Sequence, residues 1–418
     1  MKSWEIKSLG DICEFGNGLW TGKKPPFQKV GVIRNTNFTK DGKLDDSDIV
    51  YLDVEQSQYT KRKLQYGDII LEKSGGGPKQ PVGRVIIFDK KKGDFSFSNF
   101  TSLIRITNPK TVDFTYLHKF LFFYYISGAT ETMQTHSTGI RNLKFDDYKD
   151  ISIPLPPLQE QERIVAILDE AFAAIAKAKA NAEQNFKNAK ELFESYLQGV
   201  FENKGEGWEE KEFGDIITTL TDYHANGSYK ILKKNVELKD TEDYSWMVRS
   251  TDFENDFQND FRYIDEKGYN FLSKSKVFGG EIIMSKIGNA GNVYLMPKVN
   301  MPCTLAMNLF LIRLNEKKAI PEYIFQYLKS KKGEIQIKSR LLGMATKTIT
   351  KDNVRNIIIP FPPLKEQKII IKKLEALSSE TKKLESIYNQ KINNLEELKK
   401  SILQKAFAGE LNTKINVD

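Results

Sequence analysis

The sequence predicts an α+β protein made of two similar α+β domains separated by an antiparallel coiled coil of two long helices, the halves related by a pseudo-two-fold internal duplication. Three observations carry this prediction. Five sequence blocks recur in the same order. Each copy opens with short β-branched and aromatic runs separated by turn signals. Each copy closes with a long stretch whose apolar residues step by threes and fours.

The blocks are specific. Trp4-Glu-Ile-Lys-Ser-Leu-Gly-Asp-Ile12 returns as Trp208-Glu-Glu-Lys-Glu-Phe-Gly-Asp-Ile216. Ile33-Arg34-Asn35-Thr36-Asn37-Phe38 returns as Val248-Arg249-Ser250-Thr251-Asp252-Phe253, and Gly67-Asp68-Ile69-Ile70-Leu71 as Gly280-Glu281-Ile282-Ile283-Met284. Ile153-Pro-Leu-Pro-Pro-Leu-Gln-Glu-Gln161 returns as Ile359-Pro-Phe-Pro-Pro-Leu-Lys-Glu-Gln367. Glu191-Leu192 with Ser195, Leu197, Gln198 and Phe201 returns as Glu397-Leu398 with Ser401, Leu403, Gln404 and Phe407. A period of about half the chain is far too long for a solenoid and means two copies of a composite unit.

In chain order, residues 1–157 form the first domain, 158–206 the first long helix, 207–363 the second domain, and 364–418 the second long helix and tail. Val30–Ile33, Asp68–Leu71, Val82–Phe88 and Ser102–Ile106 read as strands, and Tyr116–Tyr125 as a helix packed on them. Glu281–Met284, Asn308–Leu314 and Tyr323–Leu328 are their counterparts. Pro156-Pro157 and Pro362-Pro363 suit helix entrances, where a missing amide hydrogen costs nothing, and Glu160 and Glu366 complement the helix dipole. The first seam runs Ile164, Leu168, Ala171, Ile175, Ala178, Ala182, Phe193, Tyr196 and Val200. The second runs Ile370, Leu374, Leu377, Thr381, Leu384, Tyr388, Lys391, Leu395, Leu398 and Ile402. Matched seams of matched length predict that the two helices pair with each other.

Composition narrows the function. Hydrophobic residues at 40% exclude a mainly disordered chain, and no apolar run approaches a membrane span. Two cysteines, Cys13 and Cys303, and an N-terminus without an apolar core predict a cytoplasmic location. Sixty-three basic against 55 acidic residues give +8, a balance that favours polyanionic partners.

Catalytic constellations are missing. Gly16-Asn-Gly-Leu-Trp-Thr-Gly22 has the wrong spacing for a phosphate loop, and His118, His136 and His224 lack metal-ligand spacing. Lys24-Pro25-Pro26-Phe27 lacks the amide-bearing residue that an amino-methyltransferase loop requires, and reads as a turn. Asp68 and Glu72 are read as strand-end residues, not a nuclease metal site, and Ser74-Gly-Gly-Gly77 as a flexible loop beside a sheet. No metal and no directly bound cofactor is expected.

Recognition has better candidates. The first copy places Arg34, Lys73, Ser74, Lys79, Gln80, Arg84, Asn99, Thr101, His136, Thr138, Arg141 and Asn142 on loops. The second places Arg249, Ser285, Lys286, Asn289, Asn292, Thr346, Lys347 and Thr348 there. Lys and Arg neutralise phosphates, while Arg, Asn, Gln and Ser/Thr read base edges. Any one of these residues is ordinary in a solvated loop. The argument rests on equivalent loops in both copies carrying this chemistry. The scaffolds agree and the loops differ, as expected if two domains read two different DNA half-sites at a separation set by the helices.

This organisation resembles the specificity subunit of type I restriction–modification enzymes across nearly the whole chain. The marks are the two Ile-Pro-[Leu/Phe]-Pro-Pro-Leu-x-Glu-Gln segments, the Trp-x-x-x-x-[Leu/Phe]-Gly-Asp-Ile starts and Gly-[Asp/Glu]-Ile-Ile within each domain. The resemblance implies two target-recognition domains that bind double-stranded DNA, and assembly with two methyltransferase (modification) subunits and, optionally, two restriction subunits. The helices would be their docking surface. S-adenosylmethionine, ATP and magnesium would act in those partners, and this chain would be non-catalytic. Two other readings remain at this stage: a coiled-coil protein-binding scaffold without sequence-specific DNA binding, and a self-sufficient modification enzyme.

Overall fold

The computed structural model describes residues 4–20, 24–78, 80–137 and 139–411. The chain divides into two compact units, one formed by 1–183 with 389–418 and the other by 184–388. The long helices therefore do not stand apart as separate bodies: each unit contains a stretch of both.

The first unit is centred on an antiparallel sheet in the order Cys13–Asn17, Thr101–Ile106, Ile69–Glu72, Val85–Ile87. A second sheet runs Val50–Glu55, Phe27–Ile33, Phe95–Phe97, its last pair parallel. Helix Phe114–Ile126, capped by the Asp113 side chain, buries Tyr116, Leu117, Phe120 and Leu121 in the core with Ile69, Leu71 and Ile104. The second unit repeats the plan. Its central sheet runs Ile217–Asp222, Leu309–Leu314, Ile282–Ser285, Val293–Leu295, and the helix is Pro321–Lys329. Its second sheet again holds a parallel pair, Ser245–Val248 with Cys303–Leu305.

The recurring motifs have matching physical roles. Strand Glu5–Ser8 pairs with Ser152–Leu155, and Glu209–Glu212 with Ile358–Phe361, so each domain's start is sewn to its end. The Leu9 amide donates to the Ile151 carbonyl (2.9 Å) and the Phe213 amide to that of Ile357 (2.7 Å). Tyr116 and Tyr323 donate their hydroxyls to the carbonyls of Pro154 (2.7 Å) and Pro360 (2.8 Å). Asp68 meets Arg105 at 2.6 Å and Glu281 meets Arg313 at 3.2 Å, which accounts for the acid in Gly-[Asp/Glu]-Ile-Ile.

The glutamine of Pro-Pro-Leu-x-Glu-Gln is a clamp. Gln161 is fully buried; it accepts from the Asp113 amide (2.9 Å) and donates to the carbonyls of Thr111 (2.9 Å) and Pro156 (2.8 Å). Gln367 does the same with the Ile320 amide (3.0 Å) and the carbonyls of Lys318 (3.2 Å) and Pro362 (2.8 Å). Each ties a long helix to the loop that follows the central sheet. Gln161→Leu keeps the volume and strands these groups. It is expected to lower the unit's stability by about 1–3 kcal/mol, the cost of a buried polar group left unpaired. Urea unfolding measures it; an unchanged midpoint contradicts the clamp.

The long helices are Leu158–Glu202 and Leu364–Phe407. In the first unit Ile164 and Leu168 share a core with Leu403, Ala406 and Phe407, while Lys179 pairs with Glu396 further along, so the two helices run antiparallel. In the second unit Leu197 and Phe201 share a core with Ile370, Ile371 and Leu374. The expected seams hold near the helix entrances and drift toward the exits. Tyr196 is exposed and Leu197 buried, and Leu398 and Lys391 are exposed while Lys399 lies over Phe122 and Phe172. The reason is that each helix end packs on its globule as well as on the other helix. Phe407 meets Tyr116, Phe120 and Phe123, which turns the buried face. Among the described residues no helix is long and apolar enough to cross a membrane.

Candidate nucleic-acid interface

Four loop regions of the first unit converge at one end of its central sheet. Ser74–Gly76 forms a short strand paired with Ile140–Leu143, itself one arm of a hairpin with Gln134–Ser137. The Ser74-Gly-Gly segment expected to be a flexible loop is thus hydrogen-bonded sheet. The amides of Lys73 and Ser74 donate to the Phe100 carbonyl (3.0 and 3.2 Å), which brings in the Asn99 turn. The Leu143 amide donates to the Lys73 carbonyl (2.8 Å). Gly75 adopts φ of +96°, and a Cβ there would meet Asn35 Nδ2 at 3.1 Å and Phe100 at 3.3 Å, so the Arg34–Phe38 loop closes the group. Only glycine admits this approach.

The side chains divide into anchored and available groups. Ser74 Oγ donates to Asn142 Oδ1 (2.5 Å), and Lys73 Nζ donates to Asn17 Oδ1 (2.7 Å). Burial lowers the Lys73 ammonium below its ordinary value. Asn99 is exposed, and Arg141, half-buried on its strand, has no side-chain partner among the described residues. Lys79 and Thr138, and the side chain of His136, lie outside the described residues.

Of the first copy's candidates, two are held inward and a third is tied to an exposed acid. Arg84 grips buried Glu72 with two bonds of 2.7 and 2.8 Å and also donates to the carbonyls of Asn35 (3.0 Å) and Phe38 (3.1 Å), with Gln80 beside it. Thr101 is fully buried and donates to the Ser98 carbonyl, so it faces no ligand. Arg34 is tied to Asp48 at 3.0 Å. In the second copy Ser285 is buried, and Arg249 is held by fully buried Asp252 at 2.8 Å and by Asp260. Sequence separates none of these from free loop residues, because their partners come from neighbouring strands and turns.

The second unit repeats the convergence through its main backbone bonds. The Lys286 amide donates to the Asn308 carbonyl (2.7 Å) and the Ile349 amide to the Lys286 carbonyl (3.1 Å), as Lys73 does with Phe100 and Leu143 with Lys73. The Gly291 amide donates to Ser285 (2.8 Å) and the Ser285 amide to Asn292 (2.8 Å), matching Gly83 with Glu72 and Glu72 with Arg84. Gly288 donates to the Lys347 carbonyl (3.2 Å), and Leu342 and Thr348 exchange bonds of 2.8 and 2.9 Å. Loops 285–292 and 342–348 therefore lie together as 72–84 and 134–143 do.

Contents differ where geometry agrees. The buried Glu72–Arg84 pair is replaced by Ser285 and Asn292, and Arg141 by Lys347, which is exposed together with Thr346. Thr348 is half-buried at the bridge. Asn289 and Asn292 are exposed. Lys286 reaches Asp222 at 2.8 Å. Burial opposes the Asp222 charge, but the hydrogen bond and charge of Lys286 prevail and hold its carboxyl below the ordinary range. Sequence reasoning missed Asn17, Asn35 and Phe100. Asn35 sits in a repeated block and Asn17 between two glycines, signals that could have found both.

Asp68 and Glu72, the pair that superficially suggested a nuclease, are each bound to an arginine. Among the described residues no group of three or more His, Cys, Asp or Glu is placed to hold a metal ion. His118 is a core residue whose burial pushes its pKa down to about 4.

Comparisons with known proteins agree with this geometry. The family model described as "Type I restriction modification DNA specificity domain" matches the chain twice, over residues 1–184 and 205–397. A putative type I restriction enzyme MjaX specificity subunit of Methanocaldococcus jannaschii is 27% identical, over 99% of this chain and 95% of that protein. The type I restriction enzyme EcoKI specificity subunit of Escherichia coli K12 is 25% identical, over 98% and 89%. Among solved structures, a chain from work on complex assembly and conformational transition of the type I R-M system superposes with a TM-score of 0.75 at 18% identity, covering 98% of this chain and 99% of that one. The HsdS subunit from Thermoanaerobacter tengcongensis gives 0.62 at 18% identity, covering 98% of both. At that identity the two structures establish the shared fold.

Proposed function

The chain belongs to the type I restriction–modification DNA specificity family, and from that premise we propose that it reads an asymmetric, two-part DNA target on behalf of catalytic partner subunits. One observation carries the reading: the same loop convergence is built in both units on the same main backbone bonds and filled with different side chains. A duplicated frame with divergent contents suits two related half-sites of different sequence. The coiled-coil scaffold alternative gives no reason for such loops.

The chain is the non-catalytic component, and it works in a complex with other subunits and DNA. Two modification subunits would bind S-adenosylmethionine and methylate one adenine in each half-site. Restriction subunits would add ATP- and magnesium-dependent cleavage. This chain's own share is positioning: Arg141 and Lys347 meet phosphates or guanines, while Asn99, Asn289, Asn292 and Thr346 meet base edges.

Binding of the assembled complex to its target is expected to be steeply salt-dependent, log affinity falling by about 0.9 per phosphate neutralised for each unit of log salt. Fluorescence anisotropy over a salt series measures the slope. A flat response contradicts the reading.

A further inference from the structure

Basic and amide side chains account for most of the loop cluster in the second unit, but one exposed member is an acid. Glu254 ends the short helix Ser250–Glu254, directly after the Arg249 turn. Tyr294 donates its hydroxyl to Glu254 Oε1 at 3.2 Å, and Asn289 Nδ2 reaches the same oxygen at 3.5 Å. Tyr294 is itself fixed. Its ring stacks on Phe253 with centroids 4.6 Å apart and planes 18° apart, and Asn292 Nδ2 touches its hydroxyl at 3.5 Å.

The carboxylate therefore has one oxygen steadied by the reading loop and the other, Oε2, without a partner among the described residues. Among the described residues no cation pairs with it. Arg249 is committed to Asp252 and Asp260, and Lys286 to Asp222. On a surface that meets phosphates, an exposed unpaired carboxylate is repelled by the backbone. Its useful chemistry there is to accept from an exocyclic amino group. In the major groove a carboxylate suits cytosine N4, whereas the carboxamide of Gln suits adenine N6 and N7.

We propose that Glu254, oriented by Tyr294 and Asn289, is a specificity-determining residue of the second unit that accepts from the N4 amino group of a cytosine in its half-site. The inference rests on the DNA-reading function above and deepens it. It also accounts for one difference between the copies. Counting from the matched Arg34 and Arg249, the first unit has Thr39 at this place, and its hydroxyl is spent on the Lys43 carbonyl.

The test assembles the full chain, wild type, Glu254→Gln or Glu254→Ala, with its modification subunits and maps methylated sites on unmethylated genomic DNA. Glu254→Gln is expected to move one position of one half-site from cytosine toward adenine, with about a tenfold fall in relative rate at the original base. Glu254→Ala should relax that position without moving it. The other half-site should stay unchanged in both, which also reports an intact fold. An unchanged motif in both variants overturns the proposal while leaving the DNA-reading function standing. So does a uniform gain on all sequences, which would make Glu254 a source of repulsion only, and so does a uniform loss. If the wild-type complex methylates no defined motif, the function itself fails, and the proposal with it.

Discussion

Arg84→Met is expected to destabilise the unit formed by 1–183 and 389–418 by about 3–5 kcal/mol, the usual cost of removing one partner of a buried ion pair. Glu72 is fully buried, and Arg84 supplies the two short bonds to its carboxylate, with only a longer one of 3.4 Å from Asn35 Nδ2 beside them. The carbonyls of Asn35 and Phe38 lose a donor as well. The methionine fills the space but leaves a buried carboxylate that must either stay charged without a cation or take up a proton. The second unit shows how the same position is built without charge, with Ser285 and Asn292. Glu72→Ser combined with Arg84→Asn is therefore expected to recover most of the loss, because the two sites are directly coupled. Urea unfolding of the two variants measures both effects. A single variant with full stability and lost DNA binding would instead make Arg84 a reader.

Arg141→Ala is expected to act in the opposite way. Arg141 has no side-chain partner among the described residues, so its removal should shift stability by less than about 0.5 kcal/mol. Recognition should suffer at one half-site only, by about 10- to 100-fold, the range for losing an arginine that bridges a guanine. Competition binding of the assembled complex against DNA altered in either half separates the two. Equal loss at both halves, with the fold intact, contradicts the assignment of one half-site to each unit.

These two arginines show where sequence reading reaches its limit. Both stand in repeated or glycine-rich loop segments, and both have the right chemistry. What separates them is Glu72, which lies across a turn on the adjacent strand and is invisible to any local pattern. Thr101 fails for a similar reason: it looks like a loop residue, yet it opens strand Thr101–Ile106 with its hydroxyl turned inward.

The fold was more legible, because duplication doubles every signal. The strands over Val30–Ile33, Asp68–Leu71 and Ser102–Ile106 lie within or overlap observed strands, as their β-branched runs require. Strand Glu209–Glu212 was not legible. Glu-Glu-Lys-Glu has no alternation, and only pairing with Ile358–Phe361 makes it a strand. The coiled-coil seams were legible where helix meets helix. They were misread at Tyr196 and Leu398, where the globule competes for the buried face.

The central claim is that this chain selects the DNA sequence its complex modifies. The most direct test maps N6-methyladenine across the host genome with and without this gene. The account predicts that one asymmetric, two-part motif loses its methylation while every other motif is unaffected. Unchanged methylation at all motifs, with this chain and its modification subunits expressed, would contradict it.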